Sequence, residues 1–183
     1  MQMPDSRVLL AQPLHYALCN TVTRHTYSFH SMNNHLLNQR FAHQLGYAGL
    51  IPFILLTLGC WLVQPAWLGD FIKGQLAYGI ATLSFLGGMH WAAALVSADL
   101  SAEQTRKALT WSVVPPLTAW ISTMLGGFGF AVLMAGFIAA YQADKRLFDW
   151  YRVPQWFLQL RFRLTCAVVA MLVLTVIAAN VRG

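Results

Sequence analysis

From residue 45 to the end, the chain consists of long apolar runs separated by short polar gaps. Runs of about 17–25 apolar residues are typical of transmembrane helices. In lipid, each backbone N–H and C=O must be hydrogen-bonded within its own segment, which favours helices. The alternating pattern of a membrane β-barrel does not occur. We therefore predict an all-α fold, a polytopic membrane protein built as a bundle of five transmembrane helices. The predicted spans cover residues 45–63, 76–96, 108–125, 126–142 and 164–181.

The first part of the chain differs from this pattern. Residues 1–43 are polar and contain five of the six histidines at irregular spacing, so no metal site is expected among them. We predict a poorly ordered N-terminal extension before a membrane domain over 44–182. Whether the true start is Met32, with 1–31 not translated, stays open.

Composition supports membrane insertion. The chain is 57% hydrophobic and 10% charged, whereas a soluble domain has about 25% charged residues. The net charge of +6 could indicate nucleic acid, but the basic residues flank the apolar runs instead of forming a patch. The predicted partner is therefore the lipid bilayer and not nucleic acid. The three cysteines lack metal-ligand spacing, so they are interpreted as free thiols, and neither a metal nor a cofactor is expected.

The basic residues predict the orientation. Ten lie in the N-terminal segment and in the connections between spans two and three and between spans four and five, and only Lys73 and Arg182 lie on the other side. Basic residues are enriched in cytoplasmic loops. This asymmetry predicts a cytoplasmic N-terminus, or one in the mitochondrial matrix, and an outside C-terminus.

The second span contains the chain's most distinctive chemistry. His90 is the only histidine well inside an apolar run, and Trp91 follows it. Ionisable groups at such depth are costly and often functional. One interpretation is structural, a hydrogen bond to a carbonyl freed by Pro115 and Pro116 at comparable depth in span three. The other is a proton or ligand role. Haem ligation by two histidines would need a second intramembrane histidine.

Small residues predict where helices approach closely. Gly87 and Gly88, next to His90, are interpreted as a packing feature. Two stripes of small residues recur every four positions, one in span two and one in span four. Their members are Ser84, Gly88 and Ala92, and Ala131, Ala135 and Ala139.

Polar groups at the ends and in the middle of spans three to five also need partners. The hydroxyls of Ser112, Thr118 and Ser122 are expected to help satisfy the carbonyls freed by the double proline.

Asp144 follows span four, where a negative charge is unfavourable at a helix C-terminus. We expect it to pair with Arg161 or Arg163. The last helix could begin at Pro154, which would place both arginines toward lipid headgroups.

Several motifs, taken in order, resemble one family. They are LGYAGLIPF (45–53), SFLGGMHW (84–91), VVPPLTAW (113–120), Ala143-Asp144, and the block from Pro154 to Thr165. The chain resembles the transmembrane protein 69-like family, also called domain of unknown function 3429, over about residues 44–180. The resemblance implies a small protein of the bacterial inner membrane, or of the mitochondrial inner membrane. It supplies no catalytic residues.

Three functions are compatible with these features. The first is a scaffold or assembly factor that binds another membrane protein, or a second copy of itself, through its small-residue faces. The second is a small oligomeric transporter or proton-linked carrier that uses His90. The third is a lipid-handling or redox membrane enzyme. An enzyme is disfavoured, because no arrangement of nucleophile, base and orienting group is visible.

Overall fold

The computed structural model describes residues 39–97, 100–151 and 153–183. The chain divides into two units, Met1–Leu45 and Gly46–Gly183. In the first unit, residues 39–45 are helical, and the rest of the predicted N-terminal extension lies outside the described residues. The second unit contains five long helices, α1 (Ile51–Leu62), α2 (Pro65–Val96), α3 (Ala102–Met124), α4 (Gly129–Trp150) and α5 (Gln155–Arg182). Every regular element in the described residues is helical, which confirms the all-α prediction.

Four helical segments are long and apolar enough to cross a membrane. They are Gln39–Leu62, Pro65–Val96, Gly126–Trp150 and Gln155–Arg182. The prediction of a polytopic helical membrane protein is confirmed at this level. The segment that was predicted as span three, now α3, is not among the four. It begins with Glu103, Arg106 and Lys107, and prolines and hydroxyl residues interrupt its remainder.

The central element is α2, which contacts each of the other four helices of its unit. Its buried face meets the main apolar core, where Leu83, Phe137 and Leu172 of α2, α4 and α5 are almost fully buried. Phe53 of α1 completes this group. Burying one such side chain contributes about 1.5–3 kcal/mol in water; in lipid the same contacts act mainly through close packing.

Glycine allows the sharp connection between α3 and α4. Gly126 has φ of 51° and begins a short 3-10 helix over Gly126–Phe128. A β-carbon at this φ would be strained, whereas glycine adopts it readily. The two helices therefore pack as antiparallel neighbours, as the sequence predicted.

The connection between α4 and α5 is much shorter than predicted. Helix α4 continues past the predicted end at residue 142 to Trp150, and α5 begins at Gln155 with Pro154 as its N-cap residue. Residues 143–150 are therefore helical, so Asp144 lies on a helix face instead of following a helix end. This extension positions the site described below.

The C-terminal end of α5 stabilises the end of α1. Arg182 donates from Nη1 to the Cys60 carbonyl over 2.6 Å and from Nη2 to the Val63 carbonyl over 2.7 Å. The last carbonyls of a helix have no partner within it. The guanidinium therefore supplies a C-terminal cap from a distant part of the chain.

Helix α3 continues through its two internal prolines, Pro115 and Pro116. These prolines lack the N–H groups that would bond the carbonyls of Trp111 and Ser112. The nearby hydroxyls do not replace them, because Ser112 donates to the Leu109 carbonyl over 2.6 Å. Thr118 and Ser122 donate to the carbonyls of Val114 and Ala119. The prediction that these hydroxyls satisfy the freed carbonyls is wrong, since each reaches another carbonyl of its own helix.

Candidate functional site: a buried histidine, aspartate and arginine

Three polar side chains from α2, α4 and α5 meet inside the bundle. Asp144 is central. Its Oδ1 lies 2.7 Å from His90 Nε2. Its Oδ2 accepts from Arg161 Nε over 2.9 Å and from Arg161 Nη2 over 2.7 Å. One carboxylate thus joins three helices, and we call these residues the buried triad.

Helical spacing brings the triad inward. His90 lies seven residues after Leu83, on the face of α2 that enters the core. Asp144 lies four residues after Ala140 on the corresponding face of α4. Residues separated by three, four or seven positions share one helix face. Arg161 follows the first turns of α5 and is buried on the face toward α4.

Burial gives these contacts energetic weight. Asp144 is 0% exposed, His90 1% and Arg161 7%. An isolated charge in such a place is very unfavourable, so the carboxylate and guanidinium depend on each other. A carboxylate paired with arginine only accepts hydrogen bonds, so His90 Nε2 is the donor. In the neutral ring, Nδ1 then carries the free lone pair.

Aromatic rings surround the histidine. The centroid of the His90 ring lies 5.6 Å from that of Phe148 and 6.3 Å from that of Tyr151. Phe148 also contacts Phe157, with centroids 5.5 Å apart. Phe148 and Tyr151 therefore pack beside the imidazole.

Three buried polar atoms near the triad have no hydrogen-bond partner within the described residues. They are His90 Nδ1, Trp111 Nε1 and the Tyr151 hydroxyl. Trp111 and Tyr151 both pack against one small buried cluster formed by Ala94, Ala108 and Leu147. Burial also raises the pKa of the Tyr151 phenol above its ordinary value. Since most buried polar groups are hydrogen-bonded, these atoms need an explanation.

The prediction that His90 contacts the double-proline segment of α3 is wrong. The partner of His90 is Asp144, and Gly87 lies against α3 instead. A β-carbon on Gly87 would lie 2.4 Å from the Ser112 carbonyl oxygen and 2.6 Å from Pro116 Cδ. The missing side chain of Gly87 therefore lets α2 approach the proline segment, which leaves His90 free to face α4.

The other predicted residues of this stretch face outward. A β-carbon on Gly88 would meet no atom within 4 Å, and Trp91 is 48% exposed. Gly88 and Ala92, two members of the small-residue stripe of α2, are exposed, so this part of the stripe faces away from the described helices. The stripe of α4 is exposed as well, with members Ala131, Ala135 and Ala139.

The expected pair of Asp144 and Arg161 is present. The expectation that Arg161 faces lipid headgroups is wrong, because it is buried, whereas Arg163 is exposed. No pattern in the sequence predicted a role for Phe148 or Tyr151. Phe148 could have been found, because it lies four residues after Asp144 on the same face once α4 is extended.

Among the described residues, no group of three or more histidine, cysteine, aspartate or glutamate side chains could hold a metal ion. The triad therefore offers hydrogen bonds, fixed charge and one histidine nitrogen.

The four apolar helical segments of membrane-spanning length identify an α-helical membrane protein. The chain belongs to the family described as "Protein of unknown function (DUF3429)", whose profile matches residues 38–177. It is 34% identical over 145 residues to Transmembrane protein 69 of Xenopus tropicalis. The alignment covers 75% of this chain and 54% of that relative, so the chain spans about half of the relative's length. No solved structure matches the chain.

Proposed function

We propose that this protein is a scaffold or assembly factor that holds a transmembrane helix of another membrane protein. In this proposal it has five spans in the bacterial inner membrane. They are the four apolar segments and α3, which is the third span in chain order. The N-terminus is cytoplasmic and the C-terminus outside. The mitochondrial inner membrane is the alternative location. Reporter fusions test the topology, and a cytoplasmic C-terminus would contradict it.

The observation that carries the proposal is the outward position of Gly88. Between helices in lipid, close approach requires small residues, because lipid chains are as apolar as leucine. Gly87 is small because α3 requires it, but among the described residues no atom would lie within 4 Å of a β-carbon on Gly88. Its small size therefore serves no contact in the described part of the chain and suits an external helix.

The second stripe adds a similar surface. Ala131, Ala135 and Ala139 are exposed along α4, where large side chains would serve equally well against lipid. Two outward stripes on two helices suit a protein whose task is to pack against other helices.

The triad supports a scaffold more than a transporter. His90 is 1% exposed, and its ring is enclosed by Phe148 and Tyr151. Asp144 has a cation on Oδ2 and a donor on Oδ1. The charges of Asp144 and Arg161 therefore join α4 to α5. A water path to His90 would require the contacts of Asp144 with His90 and Arg161 to open.

Site-directed photo-crosslinking tests the surface. A photoreactive residue at Gly88 or Ala135, in native membranes, should give adducts with one membrane protein, identified by mass spectrometry. The control is the same photoreactive residue at Ile177 of α5, which is 43% exposed and lies on neither stripe. That position should give lipid adducts.

Two outcomes contradict this proposal. Adducts of two copies of this chain would favour self-association instead. Lipid adducts alone at both stripes would show that the stripes face only lipid.

The proton-linked carrier is the second candidate, and the unpartnered Nδ1 of His90 favours it. A carrier function predicts that the purified protein produces flux across liposome membranes and that the variant His90→Gln does not. Equal flux in wild type, His90→Gln and empty liposomes would exclude this route.

A further inference from the structure

Three buried polar atoms without a partner lie at one end of the bundle. His90 Nδ1 belongs to a ring 6.3 Å from that of Tyr151. Tyr151 and Trp111 pack on the same cluster, whose member Ala94 lies one helical turn after His90. One other buried side-chain polar atom, Gln75 Oε1, lacks a hydrogen-bond partner within the described residues, and it lies in a separate polar cluster with Thr57 and Thr175. The concentration of three such atoms beside the triad suggests a shared occupant.

The chemistry of the three atoms restricts that occupant. The indole N–H of Trp111 can only donate, and the Tyr151 hydroxyl can donate or accept. His90 Nε2 donates to Asp144, so Nδ1 accepts a hydrogen bond in the neutral ring and donates one in the charged ring. An occupant must accept from Trp111, and a group that both accepts and donates fits either state of His90. An ammonium group cannot accept, and a fully ionised oxyanion cannot donate. A hydroxyl group does both.

We infer that His90 Nδ1, Trp111 Nε1 and the Tyr151 hydroxyl form a binding site for one hydroxyl group. Two sources share this chemistry, a water molecule and the hydroxyl of a lipid headgroup. The exposed cations Lys145, Arg146 and Arg163 lie on the helices that carry Asp144 and Arg161, where they could hold the phosphate of such a lipid. This site is independent of the outward stripes and goes beyond the proposed scaffold function.

The test uses two conservative variants of the full chain, Trp111→Phe and Tyr151→Phe, and their double variant. Each removes one hydrogen-bonding group and keeps an aromatic ring. Trp120→Phe and Tyr47→Phe are the matched controls, because Trp120 is 55% and Tyr47 44% exposed. Melting temperatures in detergent and native mass spectra of each variant are compared.

A bound hydroxyl predicts coupled losses. Each single variant should lower Tm by about 2–4 °C, the shift expected for one hydrogen bond in a chain of this size. The double variant should lose clearly less than the sum, because the occupant is already weakened by the first change. The controls should stay at the wild-type Tm.

The mass spectra separate the two sources. A hydroxylated lipid bound to wild type and lost in the double variant identifies the lipid. Coupled losses of Tm without such a lipid, or with a lipid that all variants retain, identify water. Additive losses of Tm, or values at or above wild type in both single variants, would overturn the inference. The latter is the result for donors that have no partner, because their removal relieves a desolvation penalty.

Discussion

His90 donates from Nε2 to Asp144 over 2.7 Å, and both side chains are buried. Arg161 approaches the same carboxylate from the other side. The aspartate therefore links α2 to α5 through α4, and its charge is balanced by one guanidinium. A buried carboxylate of this kind makes the packing of the three helices depend on both of its partners.

Removing the charge of Asp144 should destabilise the fold strongly. Asp144→Asn leaves the Arg161 guanidinium buried without a counter-charge, and breaking a buried pair in this way costs about 3–5 kcal/mol. Reversible unfolding in detergent measures the loss. The double variant Asp144→Leu with Arg161→Met should recover part of it, because both charges are then absent but His90 Nε2 loses its acceptor.

The ion pair of Glu103 with Lys107 provides the control for Asp144→Asn. Its N···O distance is also 2.7 Å, but both side chains are largely exposed. Solvent screens such pairs, so Glu103→Gln should leave the unfolding curve unchanged. Equal effects of Asp144→Asn and Glu103→Gln would show that the triad does not depend on burial.

His90 should be replaceable by a side chain that also donates. His90→Leu loses a hydrogen bond to a charged group, worth about 1.5–3 kcal/mol. His90→Gln keeps an N–H donor for Asp144 and should lose less. Under the scaffold proposal, both variants that fold should give the same photo-crosslinked partner from Gly88. Loss of the cross-link in folded His90→Gln would instead assign His90 a direct role.

Adjacent glycines should respond oppositely to alanine. Gly87→Ala places a methyl group 2.4 Å from the Ser112 carbonyl oxygen, and overpacking of this kind costs about 1–3 kcal/mol. Gly88→Ala meets no atom and should stabilise the helix by about 0.5–1 kcal/mol. Unfolding of the two variants under the same conditions measures the difference. Equal stabilities would contradict the placement of α3 against Gly87.

These two glycines also show what the sequence could and could not predict. The run of apolar residues located α2 from residue 76 to its end, although the helix begins at Pro65. The charge after span four predicted an arginine partner for Asp144, either Arg161 or Arg163. His90 predicted part of the inward face of α2, and it is buried, but the apolar residues around it gave no further sign of which side faces inward. Gly87 and Gly88 therefore looked equivalent until the neighbouring helix was placed.

The partner of His90 was missed for a related reason. Asp144 was treated as lying beyond the end of span four, so its side chain was not assigned to a helix face. Since α4 continues to Trp150, Asp144 turns inward one turn after Ala140. Depth in the membrane alone favoured the double proline, but depth does not determine the direction in which a side chain points.

The cap formed by Arg182 should contribute measurable stability. Arg182→Met removes two hydrogen bonds to the carbonyls of Cys60 and Val63, and we expect a loss of about 1–3 kcal/mol because the group is charged and half-buried. Arg182→Lys should recover part of this loss, because an ammonium group can still bond one carbonyl. Unfolding in detergent measures both. An unchanged stability of Arg182→Met would show that the cap is not maintained in the membrane protein.

Alkaline pH should destabilise the chain through Tyr151. Burial raises the pKa of its phenol in the folded state, so the folded state resists ionisation more than the unfolded state. The contribution of Tyr151 to the free energy of unfolding is therefore fully present below the unfolded pKa of about 10. It is lost as pH rises toward the folded pKa. Tyr151→Phe should remove this part of the alkaline decline in Tm, whereas Tyr47→Phe should not. Parallel alkaline declines in Tyr151→Phe and wild type would contradict this assignment.

The most direct test of the scaffold proposal is the photo-crosslinking yield from a photoreactive residue at Ala92 in the variant Gly88→Leu. A β-carbon on Gly88 would meet no atom of the described residues within 4 Å, so this variant should unfold at the wild-type temperature or slightly above. Its leucine fills the stripe of α2, so the adduct from Ala92 with the partner membrane protein should fall at least tenfold. A folded Gly88→Leu protein with an undiminished Ala92 adduct would contradict the proposal that this face holds a partner helix.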